Sequence, residues 1–291
     1  MRKIVFRRAV AALAGAAALA LSAPAATATA ATAVPALQPA AAGTSAFLQS
    51  GQQLTPGQSL VSGETALVMQ GDGNLVLYLV GPTGNHGPAV WSSGTYGHPG
   101  AYAVMQPDGN LVVYRQGRSA PADALWSTRS WGHPGAYAQL LDGWWGVSSS
   151  INGTLWQTTT GLAPAVDGAS RPEGVLDRSR GIRPGQWIRS NSTWLVNQTD
   201  GNLVLYRKRD GAALWSTGTW NRPASIAFLS NVTGAMYLSN ASNGLIGWST
   251  PNLHAPGAYA RVQDDGNLVI YRPGRSDPAG ALWSTGTWGR A

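Results

Sequence analysis

The 291-residue sequence has no cysteine, which excludes disulfides, thiolate nucleophiles and cysteine-ligated metals. Charged residues make up only 11% of it, and beyond residue 22 no apolar run is long enough to span a bilayer. Helix signals are equally scarce. Outside the first residues there is no apolar 3.6-residue period, and Gly or Pro interrupts the chain every few positions. Three phenylalanines stand against thirteen tryptophans and 37 glycines. Without covalent staples, stability must come from a packed core, and this composition points to short strands, tight turns and aromatic packing.

Residues 1–33 read as a secretory signal peptide. Arg2, Lys3, Arg7 and Arg8 precede the apolar run AVAALAGAAALALS (9–22), and Ala28-Thr29-Ala30 or Ala31-Thr32-Ala33 offers a small-residue cleavage site. An Ala/Pro-rich segment follows at 34–44. The expected location is therefore extracellular, with no membrane span. Loss of the four basic residues lowers the formal charge from +7 to about +3. The remaining arginines are scattered, several directly after a tyrosine (Arg115, Arg207, Arg272), so no concentrated basic face points to a nucleic acid.

What the chain does have is a repeat. The stretches MQGDGNLVLY (69–78), MQPDGNLVVY (105–114), NQTDGNLVLY (197–206) and VQDDGNLVIY (262–271) share their polar residues and spacing. Six tryptophans, Trp91, Trp126, Trp156, Trp215, Trp248 and Trp283, close segments of the type ALWST; within each set of three they are spaced at 30–35 residues. Such a period marks repeated supersecondary units. TPGQSLVSG (55–63) and RPGQWIRSN (183–191) lead into two of the repeats, and Pro56 to Pro184 spans the same 128 residues as Gln70 to Gln198. The chain thus reads as two tandem domains of three units, residues 45–157 and 175–291, joined by a Pro-, Gly- and Ala-rich linker at 158–174.

Each repeat is a hairpin. Apolar alternation runs into a three-residue x-Asp-Gly loop and out again along NLVVY, so the fold class is all-β. On the outgoing strand Asn110, Val112 and Tyr114 share one face, and Leu111 and Val113 share the core face. Gln106 and Asp108 lie at the hairpin end, so the outer face forms a shallow groove of donors and acceptors over an apolar floor. Turn chemistry accounts for Asp-Gly by itself but does not require Gln, Val and Tyr.

Two units serve as an internal control. Aligned without gaps, the third reads LLDGWWGVSS (140–149), with Leu141, Gly143, Trp145, Val147 and Ser149 at the five positions. The fifth reads FLSNVTGAMY (228–237), with Leu229, Asn231, Thr233, Ala235 and Tyr237 there. Both keep the closing tryptophan and lose the polar set, so that set is separable from folding. Trp144 and Trp145 are expected to pack rather than to form an alternative stacking surface.

The pattern Gln-x-Asp-x-Asn-x-Val-x-Tyr resembles the mannose-binding motif of the monocot bulb-type, snowdrop-lectin-like family. It is complete at Gln70/Asp72/Asn74/Val76/Tyr78, Gln106/Asp108/Asn110/Val112/Tyr114, Gln198/Asp200/Asn202/Val204/Tyr206 and Gln263/Asp265/Asn267/Val269/Tyr271. The resemblance implies two β-prisms, each of three four-stranded antiparallel sheets, with each trio of closing tryptophans near a pseudo-threefold axis. It also implies metal-free, cofactor-free sites in which Asp and Asn hold the 2-hydroxyl of mannose, Gln the 3-hydroxyl and Tyr the 4-hydroxyl, with Val against the ring. The partners would be mannose-containing glycans or a cell-surface polysaccharide. The absence of cysteine departs from plant members, which commonly carry a disulfide.

No enzyme is expected. His98, His133 and His254 precede repeated Pro-Gly-Ala-Tyr segments, His86 lies in a Gly-rich stretch, and no isolated acid–base pair stands out. The rival reading is a lectin-like bacteriocin, which kills related bacteria after binding surface polysaccharide and would carry the same sugar sites. A homodimer, or strand exchange between the tandem domains through residues 281–291, is the expected assembly.

Overall fold

The computed structural model describes residues 45–164, 173–178, 180–222, 225–240, 243–244 and 246–291. The expected signal peptide and the 34–44 segment lie outside them. The architecture is all-β: two tandem β-prisms built from meanders of three antiparallel strands.

In the first prism the meanders are Thr65–Met69, Leu75–Val80 and His86–Ser92; Tyr102–Met105, Leu111–Tyr114 and Ala124–Ser127; and Tyr137–Leu141, Trp144–Ser149 and Gly153–Gln157. The N-terminal stretch supplies a fourth strand to each sheet in reverse order. Ser45–Leu48 joins the third sheet, Gln53–Leu54 the second and Ser59–Ser62 the first. One short segment thus ties all three units together.

The second prism repeats the plan. Its meanders are Thr193–Asn197, Leu203–Arg207 and Ala213–Ser216; Ser225–Leu229, Met236–Asn240 and Ile246–Ser249; and Tyr259–Val262, Leu268–Tyr271 and Ala281–Ser284. Val175–Leu176 joins the last sheet, Ile182 bridges Ala227 in the middle one, and Gln186–Arg189 joins the first. Ala281–Ser284 pairs with Leu268–Tyr271 of its own unit, so the exchange expected of 281–291 is not made within the chain. The segment on the N-terminal side of each prism supplies a further strand to five of the six sheets and a single bridge, at Ile182, to the sixth, while Ala281–Ser284 stays with its own unit. The linker is partly built into the fold, since Gly161–Leu162 pairs in parallel with Gln186–Trp187.

Side-chain alternation explains the core. Leu111 and Val113, with Leu75 and Leu77 and their counterparts in the second prism, point inward and are fully buried. At the centre of the first prism Trp91, Trp126 and Trp156 meet edge to face with ring centroids 5.3, 5.4 and 6.0 Å apart. Trp215, Trp248 and Trp283 do the same at 5.4, 5.9 and 5.9 Å. Each such contact adds about 0.5–1.5 kcal/mol beyond area burial. These trios replace the missing disulfides as the element common to the three sheets.

The prisms also share a core. Trp187, Trp194 and Val196 of the second are buried in the hydrophobic cluster of the first. A Cβ on Gly143 would lie 2.2 Å from the Trp187 ring, so glycine there makes room for the neighbouring prism. Glu64 of the first prism accepts hydrogen bonds from Lys208 Nζ at 2.7 and 3.0 Å and from Trp194 Nε1 at 2.8 Å. Arg189 approaches the same carboxylate at 3.2 Å. Burial pulls the Lys208 ammonium below its usual range, and Glu64 opposes that pull.

Candidate functional site

The four complete motifs fold alike. In unit two Met105 pairs with Leu111, which leaves Gln106–Asn110 as the hairpin end. Gln106 N–H donates to the Asn110 carbonyl at 2.8 Å, and Gly109 N–H to the Gln106 carbonyl at 3.0 Å. Asp108 Oδ1 accepts the Asn110 N–H at 2.9 Å, and this Asx bond recurs at Asp72, Asp200 and Asp265, also at 2.9 Å. Gly109 takes φ +94°, and a Cβ on it would lie 2.3 Å from the His133 carbonyl oxygen. Glycine is thus demanded both by the turn and by a second segment that passes over it.

That segment follows the closing tryptophan, and sequence reasoning missed its role. Two residues after Trp126, Thr128 Oγ1 donates to Asn110 Oδ1 at 3.1 Å; four residues after it, the Ser130 N–H donates to the same oxygen at 3.2 Å. Ser130 Oγ also donates to the Gly109 carbonyl at 2.7 Å. Ser93/Thr95 hold Asn74 in the same way, Thr217/Thr219 hold Asn202, and Thr285/Thr287 hold Asn267. The signal was present in the recurring hydroxyls of WSSGT, WSTRS and WSTGT. Each Asn carbonyl is thereby consumed, and its NH2 is turned outward.

Gln and Tyr are joined directly. Gln Nε2 donates to the tyrosine oxygen at 2.8 Å (Gln70–Tyr78), 3.1 Å (Gln106–Tyr114), 3.0 Å (Gln198–Tyr206) and 3.0 Å (Gln263–Tyr271). Among the described residues, one Asp oxygen, the Asn NH2, the Gln carbonyl and the Tyr O–H of each motif have no partner within the protein. The structure therefore brings all twenty residues of the four motifs into four matching sets. The valines, Val76, Val112, Val204 and Val269, are only 2–4% exposed, so the apolar floor is narrow.

The four sets form two classes. Tyr114 and Tyr271 are buried, and a second tyrosine on the adjacent strand, Tyr102 or Tyr259, lies beside each with ring centroids 6.1 or 5.8 Å apart. Tyr78 and Tyr206 are half-buried. Burial raises both of these phenols, Asp72 and Asp200 add to the rise, and Gln70 and Gln198 oppose it. Each thus remains a protonated donor at neutral pH. His86, read from the sequence as a loop residue, starts a strand and stacks on Tyr78 at 4.9 Å, and burial holds it below its usual range, hence neutral. Among the described residues there is no cluster of three or more His, Asp or Glu placed to hold a metal.

Units three and five depart from the ungapped alignment. In unit three Leu140 pairs with Trp145 and Val147 with Trp156, the pairings made by Met105–Leu111 and Val113–Trp126 in unit two. The hairpin has lost a residue and turns on Asp142 and Gly143, at φ +43° and +89°. Leu141, Trp144, Gly146 and Ser148 therefore occupy the Gln, Asn, Val and Tyr places, not Trp145, Val147 and Ser149. Trp145 is a fully buried core residue, and Trp144 donates to Gln157 Oε1 at 2.8 Å. Unit five has gained a residue: Leu229 pairs with Met236 and Leu238 with Trp248, which puts Ser230, Ala235, Tyr237 and Ser239 at those places. A one-residue change in loop length moves every later side chain to the opposite face, and a gapless alignment cannot register that.

Neither a protein-family model nor a curated protein matches this sequence. Several solved structures do. A monomeric monocot mannose-binding lectin from Gastrodia elata is 31% identical over 40% of this chain and 99% of its own length, with a TM-score of 0.33. The two-domain, fetuin-binding agglutinin of Scilla campanulata is 24% identical over 82% of this chain and all of its own, at 0.31. The mannose-specific agglutinin of snowdrop (Galanthus nivalis) bulbs, complexed with methyl-α-D-mannoside, is 24% identical over 39% and 96%, also at 0.31.

Proposed function

We propose that this chain is a secreted, multivalent lectin of the bulb type, which holds terminal α-D-mannose at four metal-free sites in tandem domains at 45–157 and 175–291. The observation that carries this reading is the fourfold recurrence of one unpaired set: a carboxylate oxygen, an amide NH2, an amide carbonyl and a phenol O–H. Nothing in the core requires it, and the two units that lose it keep their sheets and their closing tryptophans.

The chemistry suits a vicinal polyol. The free Asp oxygen accepts a hydroxyl proton and the adjacent Asn NH2 donates to the same oxygen, so one hydroxyl is held from both sides. Gln and Tyr, already bonded to each other, offer an acceptor and a donor to the next two hydroxyls. A sugar whose 2-hydroxyl points elsewhere leaves the Asp–Asn pair unsatisfied, and an unpaired polar pair costs about 1–3 kcal/mol. Single shallow sites bind weakly, and four on one chain gain through avidity on a polymeric glycan.

Saturation-transfer NMR tests the reading. Transfer to methyl α-mannoside protons, with much weaker transfer to methyl α-glucoside, is expected; absence of transfer to either sugar contradicts it.

A further inference from the structure

The largest exposed aromatic side chains are neither scattered nor part of the motif. Tyr96, Trp131, Trp220 and Trp288 are 70, 57, 60 and 73% exposed. Each stands five residues after the closing tryptophan of a unit that carries a complete motif.

Their place beside the motif is fixed by hydrogen bonds on both sides. One residue earlier, the N–H of Thr95, Ser130, Thr219 or Thr287 is bonded to the motif asparagine at 3.1–3.2 Å. Two residues later, the N–H of His98, His133, Arg222 or Arg290 donates to the motif aspartate's carbonyl at 2.9, 2.9, 3.0 or 3.2 Å. The aromatic residue thus sits at the tip of a short loop clipped to the Asp–Asn rim. The residue after it is left-handed in every case, Gly97, Gly132, Asn221 and Gly289 at φ +83°, +85°, +67° and +73°, so the chain turns back directly beyond the ring. An indole held in water at such a turn adds nothing to the core, and its apolar faces stay hydrated at a cost.

The degenerate units supply the comparison. At the same position unit three has Gly161, buried beside the second prism, and unit five has Leu253, which packs into the core. The exposed aromatic accompanies the polar set and disappears with it, while the fold stays.

We propose that Tyr96, Trp131, Trp220 and Trp288 are stacking platforms for a second sugar residue, linked to the one held by the motif, so that each site is built for an oligosaccharide. This rests on the reading of the motifs as sugar sites. The C–H face of a pyranose covers an aromatic ring and removes apolar surface of both from water, while the ring edge leaves the hydroxyls to solvent.

The test compares methyl α-mannoside with α-linked mannobiose on the purified chain and on the variant Tyr96→Ala/Trp131→Ala/Trp220→Ala/Trp288→Ala, with circular dichroism to verify folding. In the unaltered chain mannobiose should bind about tenfold more tightly than the monosaccharide and shift tryptophan emission, and in the variant that ratio should fall towards one. An equal ratio in the two proteins overturns the platforms and leaves the lectin reading intact. Absence of any sugar binding by the unaltered chain overturns both.

Discussion

The Ser130 backbone N–H donates to Asn110 Oδ1 at 3.2 Å, and by taking up that carbonyl it leaves the Asn110 NH2 facing the groove. The direction of the amide is set by a segment that belongs to the next turn of the fold, with Thr128 as second donor. On the proposed reading, specificity is therefore distributed: the motif supplies the groups, and the residues after the closing tryptophan aim them.

Thr128→Val should consequently weaken sugar binding at its site although Thr128 is outside the motif. The Asn110 amide loses one of its two fixed donors and regains rotational freedom. A loss of about 1 kcal/mol in affinity at that site, measured calorimetrically in a chain whose other three sites carry Asp→Asn changes, is expected. Asn110→Ala should go further and lower stability by about 1–3 kcal/mol in denaturant unfolding, because the Ser130 N–H is then buried unpaired.

Tyr→Phe substitutions separate the two site classes. At Tyr78 and Tyr206 the change removes the partner of a half-exposed glutamine, and water can replace it. At Tyr114 and Tyr271, buried beside Tyr102 and Tyr259, water has less access. Tyr114→Phe should therefore reduce affinity more than Tyr78→Phe, by about 1 kcal/mol, in single-site titrations.

Glu64 binds the prisms together. Glu64→Ala leaves the Lys208 ammonium, whose side chain is 4% exposed, without its counter-charge and the Trp194 N–H without an acceptor. Because Glu64 is itself 31% exposed, the cost should fall below that of breaking a fully buried pair, at about 1–3 kcal/mol. The double change Glu64→Leu/Lys208→Met should recover part of that loss, because no buried charge remains. Thermal unfolding of the three proteins checks the order.

Acid should weaken a neighbouring pair within the second prism, Glu173–Arg189. Arg189 donates a hydrogen bond that holds the Glu173 carboxyl below its ordinary 4.5, against partial burial. A folded-state pKa below the unfolded one means that the unfolded chain binds more protons in between. This contribution is present above about pH 4.5 and is lost as the pH falls through the folded value. Glu173→Gln should flatten the acid limb of a stability–pH profile without changing the plateau slope near neutrality.

Much of this was legible in the sequence because the repeat writes its own alignment. Alternation in NLVVY gave the core face, Asp-Gly gave the turn, and the spacing of the closing tryptophans gave two groups of three. The fourth strand of each sheet was less legible, since Gln53–Leu54 and Val175–Leu176 are two-residue strands without a pattern. The places of Trp144 and Trp145 were misassigned because their hairpin is one residue short, which composition does not reveal. The shared core around Trp187 and Trp194 was invisible for a different reason. Residues that pack between domains have the same chemistry as residues that pack within one.

The central claim is that the four unpaired polar sets bind mannose, and titration calorimetry of the chain with methyl α-mannoside, methyl α-glucoside and a mannose polymer tests it most directly. The account predicts mannose-selective heat, greater apparent affinity for the polymer, and loss of both when Asp72, Asp108, Asp200 and Asp265 are all changed to Asn. A folded chain that gives no heat with mannose, or the same heat after those four changes, would contradict it.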